Sequence, residues 1–140
     1  MEFLKEYIDF MIFSILGFMS FIVVWFSIER FISYKRLKFS DFKDLDSFEE
    51  AVTKNLTILY IIYSNAPYIG LLGTVVGIMI TFHDMGASGN MNASEIMIGL
   101  SLALKATALG LVVAIPTLII YNGFLRKVDV LVNRYKASIK

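Results

Sequence analysis

Three long stretches of this chain carry no charged side chain, or only one, and nothing else constrains its fold as tightly. Phe10 to Ile28 is uncharged, Asn55 to Phe82 is uncharged, and Ile96 to Leu125 is interrupted only by Lys105. At a helical rise of ~1.5 Å per residue, ~20 apolar residues cross the ~30 Å hydrocarbon core of a bilayer. Lipid offers the backbone no hydrogen-bond partners, so such segments must satisfy themselves as helices. Composition agrees: with 57% hydrophobic residues, a chain of 140 residues has more apolar surface than a soluble core of that size hides.

The expected fold is therefore an all-α membrane protein of one domain with three transmembrane helices. The spans are placed at about residues 10–28, 60–82 and 98–125, with connections at about 29–58 and 83–95 and a tail at 126–140. The second uncharged run exceeds a bilayer's thickness, so its first part, up to about Ser64, is expected to project into water or pack beneath the membrane. Basic residues set the orientation. Arg30, Lys35, Arg36 and Lys38 follow the first span, while Arg126, Lys127, Arg134, Lys136 and Lys140 follow the third. The loop from His83 to Glu95 has neither Lys nor Arg. The positive-inside rule then puts the N-terminus in the periplasm and the C-terminus in the cytoplasm of a bacterial inner membrane.

The first connection, Glu29 to Lys54, mixes six basic and six acidic residues. Phe39, Phe42, Leu45 and Phe48 recur every third residue and predict a short amphipathic element under the membrane. Ser47 and Glu50 fit a capping box, and a helix starting there would run on into the second span. Pro67 and Pro116 are expected to kink the second and third spans.

Two stripes of small residues give these helices an interface. Ala66, Gly70, Gly73, Thr74, Gly77 and Thr81 fall on one face of the second span, and Gly99, Ala103, Ala106, Thr107, Gly110, Ala114 and Thr117 on one face of the third. Small residues at intervals of three and four let membrane helices approach closely, which is helix packing in its simplest form. Three helices enclose no pore, so a transport role demands a homo-oligomer. Thr74 and Thr107 are the mid-span hydroxyls of these faces; each either bonds its own helix backbone or joins a polar ring around a central channel.

Other chemistry finds no support. A formal charge of +1 creates no field for nucleic acid, and the absence of Cys excludes disulfides and thiolate metal sites. The acidic start, with Glu2, Glu6 and Asp9, is unlike a cleavable signal peptide. No hydrolytic triad, metal-ligand set or phosphate loop can be assembled, so neither an enzyme nor a cofactor is expected. His83 and Asp84 read as an interfacial residue and a solvated helix end. Lys105 lies about 200° around the helix from Thr107, and either snorkels to the outer interface or pairs with a carboxylate of a partner or of a neighbouring subunit's Asp84.

The segments NAPYIGLLGTVVGIM (65–79) and LKATALGLVVAIPT (104–117), the latter followed by Tyr121-Asn122, resemble the second and third spans of the ExbB/TolQ/MotA proton-channel family. The likeness covers roughly residues 60–125 and points to the ExbB branch in a short-loop form. It implies a pentamer with Thr74 and Thr107 facing the pore, a single-span ExbD-like partner supplying a membrane aspartate, and a TonB-like protein energised by the proton-motive force. A TolQ-type role in envelope integrity and a non-conducting scaffold are the alternatives. Two positions depart from the family pattern: its third-span glutamate is replaced here by Leu102, and Lys105 stands where the family is apolar.

Overall fold

A computed structural model describes residues 2–89 and 92–139. Those residues form four helices: α1 (Glu2–Lys35), α2 (Leu45–Thr53), α3 (Leu56–Ser88) and α4 (Ala93–Ser138), with a single 3-10 turn at Phe39–Asp41. Among the described residues α1, α3 and α4 are long and apolar enough to cross a membrane, and no strand is present. Each outruns its uncharged stretch. The 46 residues of α4 reach ~69 Å, more than twice the hydrocarbon thickness, so one end stands well outside it.

The helices shorten the connections foreseen from sequence. Much of the connection placed at 83–95 is helical: α3 continues to Ser88, where Gly89 adopts a left-handed φ of 70° and its N–H donates to the Met85 carbonyl, and α4 begins at Ala93. Asn92 caps α4 by accepting from the Ser94 N–H. The residues between, Asn90 and Met91, lie outside the described residues, as does Lys140 of the basic tail.

The membrane halves of α3 and α4 pack antiparallel, with small residues in register from Thr81 opposite Gly99 to Ala66 opposite Gly110. On one side α1 closes this pair, with Ile12 and Leu16 buried against Ala66 and Ala106. Its other face, with Phe10, Phe18, Phe21 and Trp25, is exposed and apolar, as a lipid-facing surface must be.

The opposite end is built from large side chains. Phe48 is fully buried, stacked on Tyr135 at 4.4 Å between ring centroids, with Phe39 and Phe42 edge-on to it. The three-residue recurrence from Phe39 to Phe48 thus does not describe one helix. It is divided among the 3-10 turn, the linker and α2, and the side chains converge because α4 supplies the common wall.

Two local expectations are overturned. The cap of α2 is Asp44, not Ser47: the Asp44 carboxylate accepts from the Ser47 N–H at 2.8 Å, and Ser47 occupies the N3 position of a capping box. Nor does α2 run into the second span. The chain breaks at Asn55, which takes a left-handed φ of 69°, a conformation Asn tolerates better than most residues. The carbonyls orphaned at the end of α2 are met from α1. Arg30, only 2% exposed, donates to Ala51 O at 2.9 Å, and the Tyr34 hydroxyl donates to Val52 O at 2.6 Å. Glu29 neutralises the guanidinium through two contacts of 2.6 and 2.7 Å and also accepts from Asn55. Pro67 and Pro116 lie inside α3 and α4, both of which continue through them as unbroken helices.

Candidate functional site

The seam between α3 and α4 is tight because it is almost devoid of side chains. A Cβ added at Gly70 would stand 2.5 Å from the Ala106 carbonyl oxygen, and one at Gly110 would stand 2.7 Å from that of Ala66. At Gly73 and Gly77 the added atom would meet the methyl groups of Ala106 and Ala103 at 2.8 and 2.9 Å. Ala114 is buried on the same side, against α1 and α3.

Thr74 and Thr107 meet in the middle of this seam. The Thr74 hydroxyl donates to the Ala103 carbonyl at 2.8 Å and is hydrogen-bonded to the Thr107 hydroxyl. A threonine has one proton to give. With that of Thr74 committed to Ala103, Thr107 is the donor between the two hydroxyls, and its own lone pairs stay open. Thr74 is 6% exposed and covered by α4, whereas Thr107 sits partly exposed at the rim.

The pair therefore bonds across helices rather than each to its own backbone. Thr81 and Thr117 on the same stripes do the opposite, donating to Gly77 O and Val113 O one turn back. Spacing alone does not separate these two behaviours. What does is the close approach at Gly70, Gly73 and Gly77, which brings the α4 carbonyls within reach of Thr74.

Two tyrosines, Tyr60 and Tyr63, went unremarked in the sequence. Tyr63 packs on Tyr121 at 5.2 Å and on Tyr60 at 5.2 Å, three turns from Thr74 along the same face of α3. The signal was available: Tyr63 and Thr74 lie about 20° apart at ~100° per residue. Lys105 lies away from the seam, its ammonium 5.7 Å from the Phe13 ring on α1. Within the chain its partner is thus an aromatic face, which neither sequence reading named. Leu102 is half exposed on α4. His83 is exposed and Asp84 partly buried near the end of α3, 3.8 Å apart.

Between Asn55 and Phe82 there is no Asp, Glu, His, Lys or Arg. The seam can order water or donate and accept hydrogen bonds, but it holds no group that takes up a proton and keeps it.

Three helices wide, with a small-residue seam and a buried hydroxyl pair, the chain belongs to the MotA/TolQ/ExbB proton channel family, whose pattern matches residues 36–137. Among curated proteins it is similar to the biopolymer transport protein ExbB of Helicobacter pylori, at 59% identity over 97% of this chain and 94% of that protein. It is 52% identical to the biopolymer transport protein ExbB of Aquifex aeolicus over 91% of this chain and 86% of that protein. Similarity to the Tol-Pal system protein TolQ of Pseudomonas aeruginosa is lower and partial, 39% over 62% of this chain and 38% of that protein.

Proposed function

We propose that this chain is the channel-forming, ExbB-type subunit of an inner-membrane complex that uses the proton-motive force to energise a TonB-like protein. The observation that carries the reading is the Thr74–Thr107 pair: a hydroxyl couple joining two spans that hold no Asp, Glu or His in their interiors. A proton relay needs an ionisable group in the membrane, so a partner must bring one. In this reading several copies, five by family resemblance, surround single-span ExbD-like helices. A membrane aspartate of the partner stands at the seam's rim, where the open lone pairs of Thr107 accept its proton's hydrogen bond and Thr74 holds Thr107 in place. The basic flanks of α1 and α4 support an N-terminus outside and a C-terminus in the cytoplasm. Full-length similarity to ExbB proteins, against partial similarity to TolQ, favours the TonB system over Tol-Pal.

The test is proton-motive-force-dependent uptake of an iron chelate across the outer membrane in a strain lacking this gene. Uptake should be lost, restored by the chain, and not restored by Thr74→Val with Thr107→Val. That double variant should still assemble, since membrane side-chain hydrogen bonds contribute only ~0.6 kcal/mol each on average. Undiminished uptake with the double variant would overturn the hydroxyl role and leave a scaffold. Normal uptake with a leaky outer membrane in the deletion strain would move the function to the TolQ type.

A further inference from the structure

A groove of about 700 Å³ runs between α1 and α4. This is within the ~300–1,000 Å³ typical of small-ligand sites. Ile28, Phe31, Ile120 and Phe124 form its walls. Gly123 forms part of its floor, and a Cβ added there would meet nothing within 4 Å, so the groove is free space rather than a tight contact.

Its charge is confined to one end. Lys35 on α1 and Lys127 on α4 both line the groove, which has no acidic lining residue. The two helices run parallel here, since Phe13 faces Lys105 and, further along, Tyr34 faces Phe124. Lys35 follows Ile28, and Lys127 follows Ile120, by about two turns, or ~10 Å. The two ammonium groups thus emerge at one level, beyond the ends of two apolar spans. The Lys35 ammonium lies 4.4 Å from the Phe31 ring centroid, held over the groove wall. Among the described residues neither lysine pairs with a carboxylate. Ser27, whose buried Oγ has no hydrogen-bond partner, belongs to the same lining at the deep end.

An apolar slot that opens from the hydrocarbon region toward two unpaired cations has the shape and charge of one class of molecule. We propose that this groove is a specific site for an anionic phospholipid of the leaflet on the Lys35–Lys127 side. One acyl chain lies along Ile28, Ile120 and Gly123, and the phosphodiester sits between the two ammonium groups. Phosphate recognition by Lys is as a point charge, and near a membrane surface each basic residue strengthens binding roughly fivefold. The proposal does not depend on the channel reading.

The experiment is native mass spectrometry of the full chain, purified in detergent and titrated with phosphatidylglycerol or phosphatidylcholine. The wild-type chain should retain phosphatidylglycerol in preference to phosphatidylcholine. Lys35→Gln with Lys127→Gln should weaken phosphatidylglycerol retention on the order of 25-fold and leave phosphatidylcholine unchanged. Gly123→Leu, which enters open space and so leaves the fold intact, should reduce retention of phosphatidylglycerol while the oligomeric state stays the same. Equal retention of the two lipids, or unchanged selectivity in the double glutamine variant, would overturn the site. A change of oligomeric state in Gly123→Leu without lipid loss would also overturn it, assigning the groove to a second copy of the chain.

Discussion

The two ends of this molecule are held together by opposite means. In the membrane, α3 and α4 associate through glycine and alanine, with backbone against backbone and two hydroxyls between. At the other end, α2, the end of α4 and the base of α1 associate through Phe48, Tyr135, Val52 and Leu131, with a buried arginine bridging to helix ends. The solvent explains the contrast. Lipid gives no hydrophobic drive for apolar helices to join, so close approach and dispersion must do it. Water does give that drive, so the exposed end is stabilised by burying volume. It follows that the seam is intolerant of added atoms and the base is intolerant of removed ones.

The largest effect should come from adding to the seam. Gly70→Leu places side-chain carbon where the Ala106 carbonyl stands, and backbone cannot step aside as a flexible side chain can. Separating α3 from α4 also breaks the Thr74–Ala103 bond. We expect loss of the folded, assembled protein, a destabilisation of ~3 kcal/mol or more, read by size-exclusion chromatography and thermal melting in detergent. Gly86→Ala is the control, because nothing lies within 4 Å of a Cβ there, and it should behave as wild type. Equal damage from the two would mean that glycine flexibility, not closeness, is what the seam uses.

Next comes subtraction at the base. Arg30→Met keeps most of the side chain's volume but removes the donors to Ala51, Val52 and Ser33 and leaves Glu29 without its main counter-charge. Removing one partner of a buried pair commonly costs ~3–5 kcal/mol. Glu29 keeps partial access to water, with 36% of its side chain exposed, so ~2–3 kcal/mol is expected here. Proteolysis should then open the chain first near Asn55, where α2 would lose its tether to α1. A melt unchanged from wild type would show that burial of Phe48 alone fixes α2.

These regions were unequally legible in the sequence. The three spans and the seam were plain, because an uncharged run and a three-or-four-residue recurrence of Gly and Ala each have one physical meaning. The break at Asn55 was not, since its neighbours Lys54 and Leu56 give no turn signal and its side chain is held by Glu29 from a different helix. The cap of α2 was misplaced because two overlapping boxes exist, Asp44 with Ser47 and Ser47 with Glu50. The chain uses the first, and the helix that begins at Leu45 carries Phe48 onto Tyr135. The cross-helix bond of Thr74 was hidden because local back-bonding, which Thr81 and Thr117 adopt, is the default for a helical threonine.

The smallest effect tests that choice of cap and is a matter of pH. Asp44 is held below the ordinary carboxylate range, first by the Ser47 backbone N–H and then by the Ser47 side chain, both of which favour the charged form. A depressed folded-state value means that the ionised cap contributes stability above the unfolded carboxylate's pKa. That contribution fades as pH falls through the lower folded-state value. Asp44→Asn keeps a competent N-cap but cannot ionise. Its melting temperature should therefore lie slightly below wild type at neutral pH, and the gap should close in acid, below the normal titration range of aspartate. The shift should be much smaller than that of Arg30→Met, because Asp44 is exposed to solvent. Ser47→Ala should remove part of the same pH dependence, since it deletes the hydroxyl beside the Asp44 carboxylate but keeps the backbone N–H that the carboxylate accepts from. A gap that persists unchanged into acid would mean that the carboxylate's charge does not stabilise the start of α2. The base of the molecule would then rest on burial and on Arg30 alone.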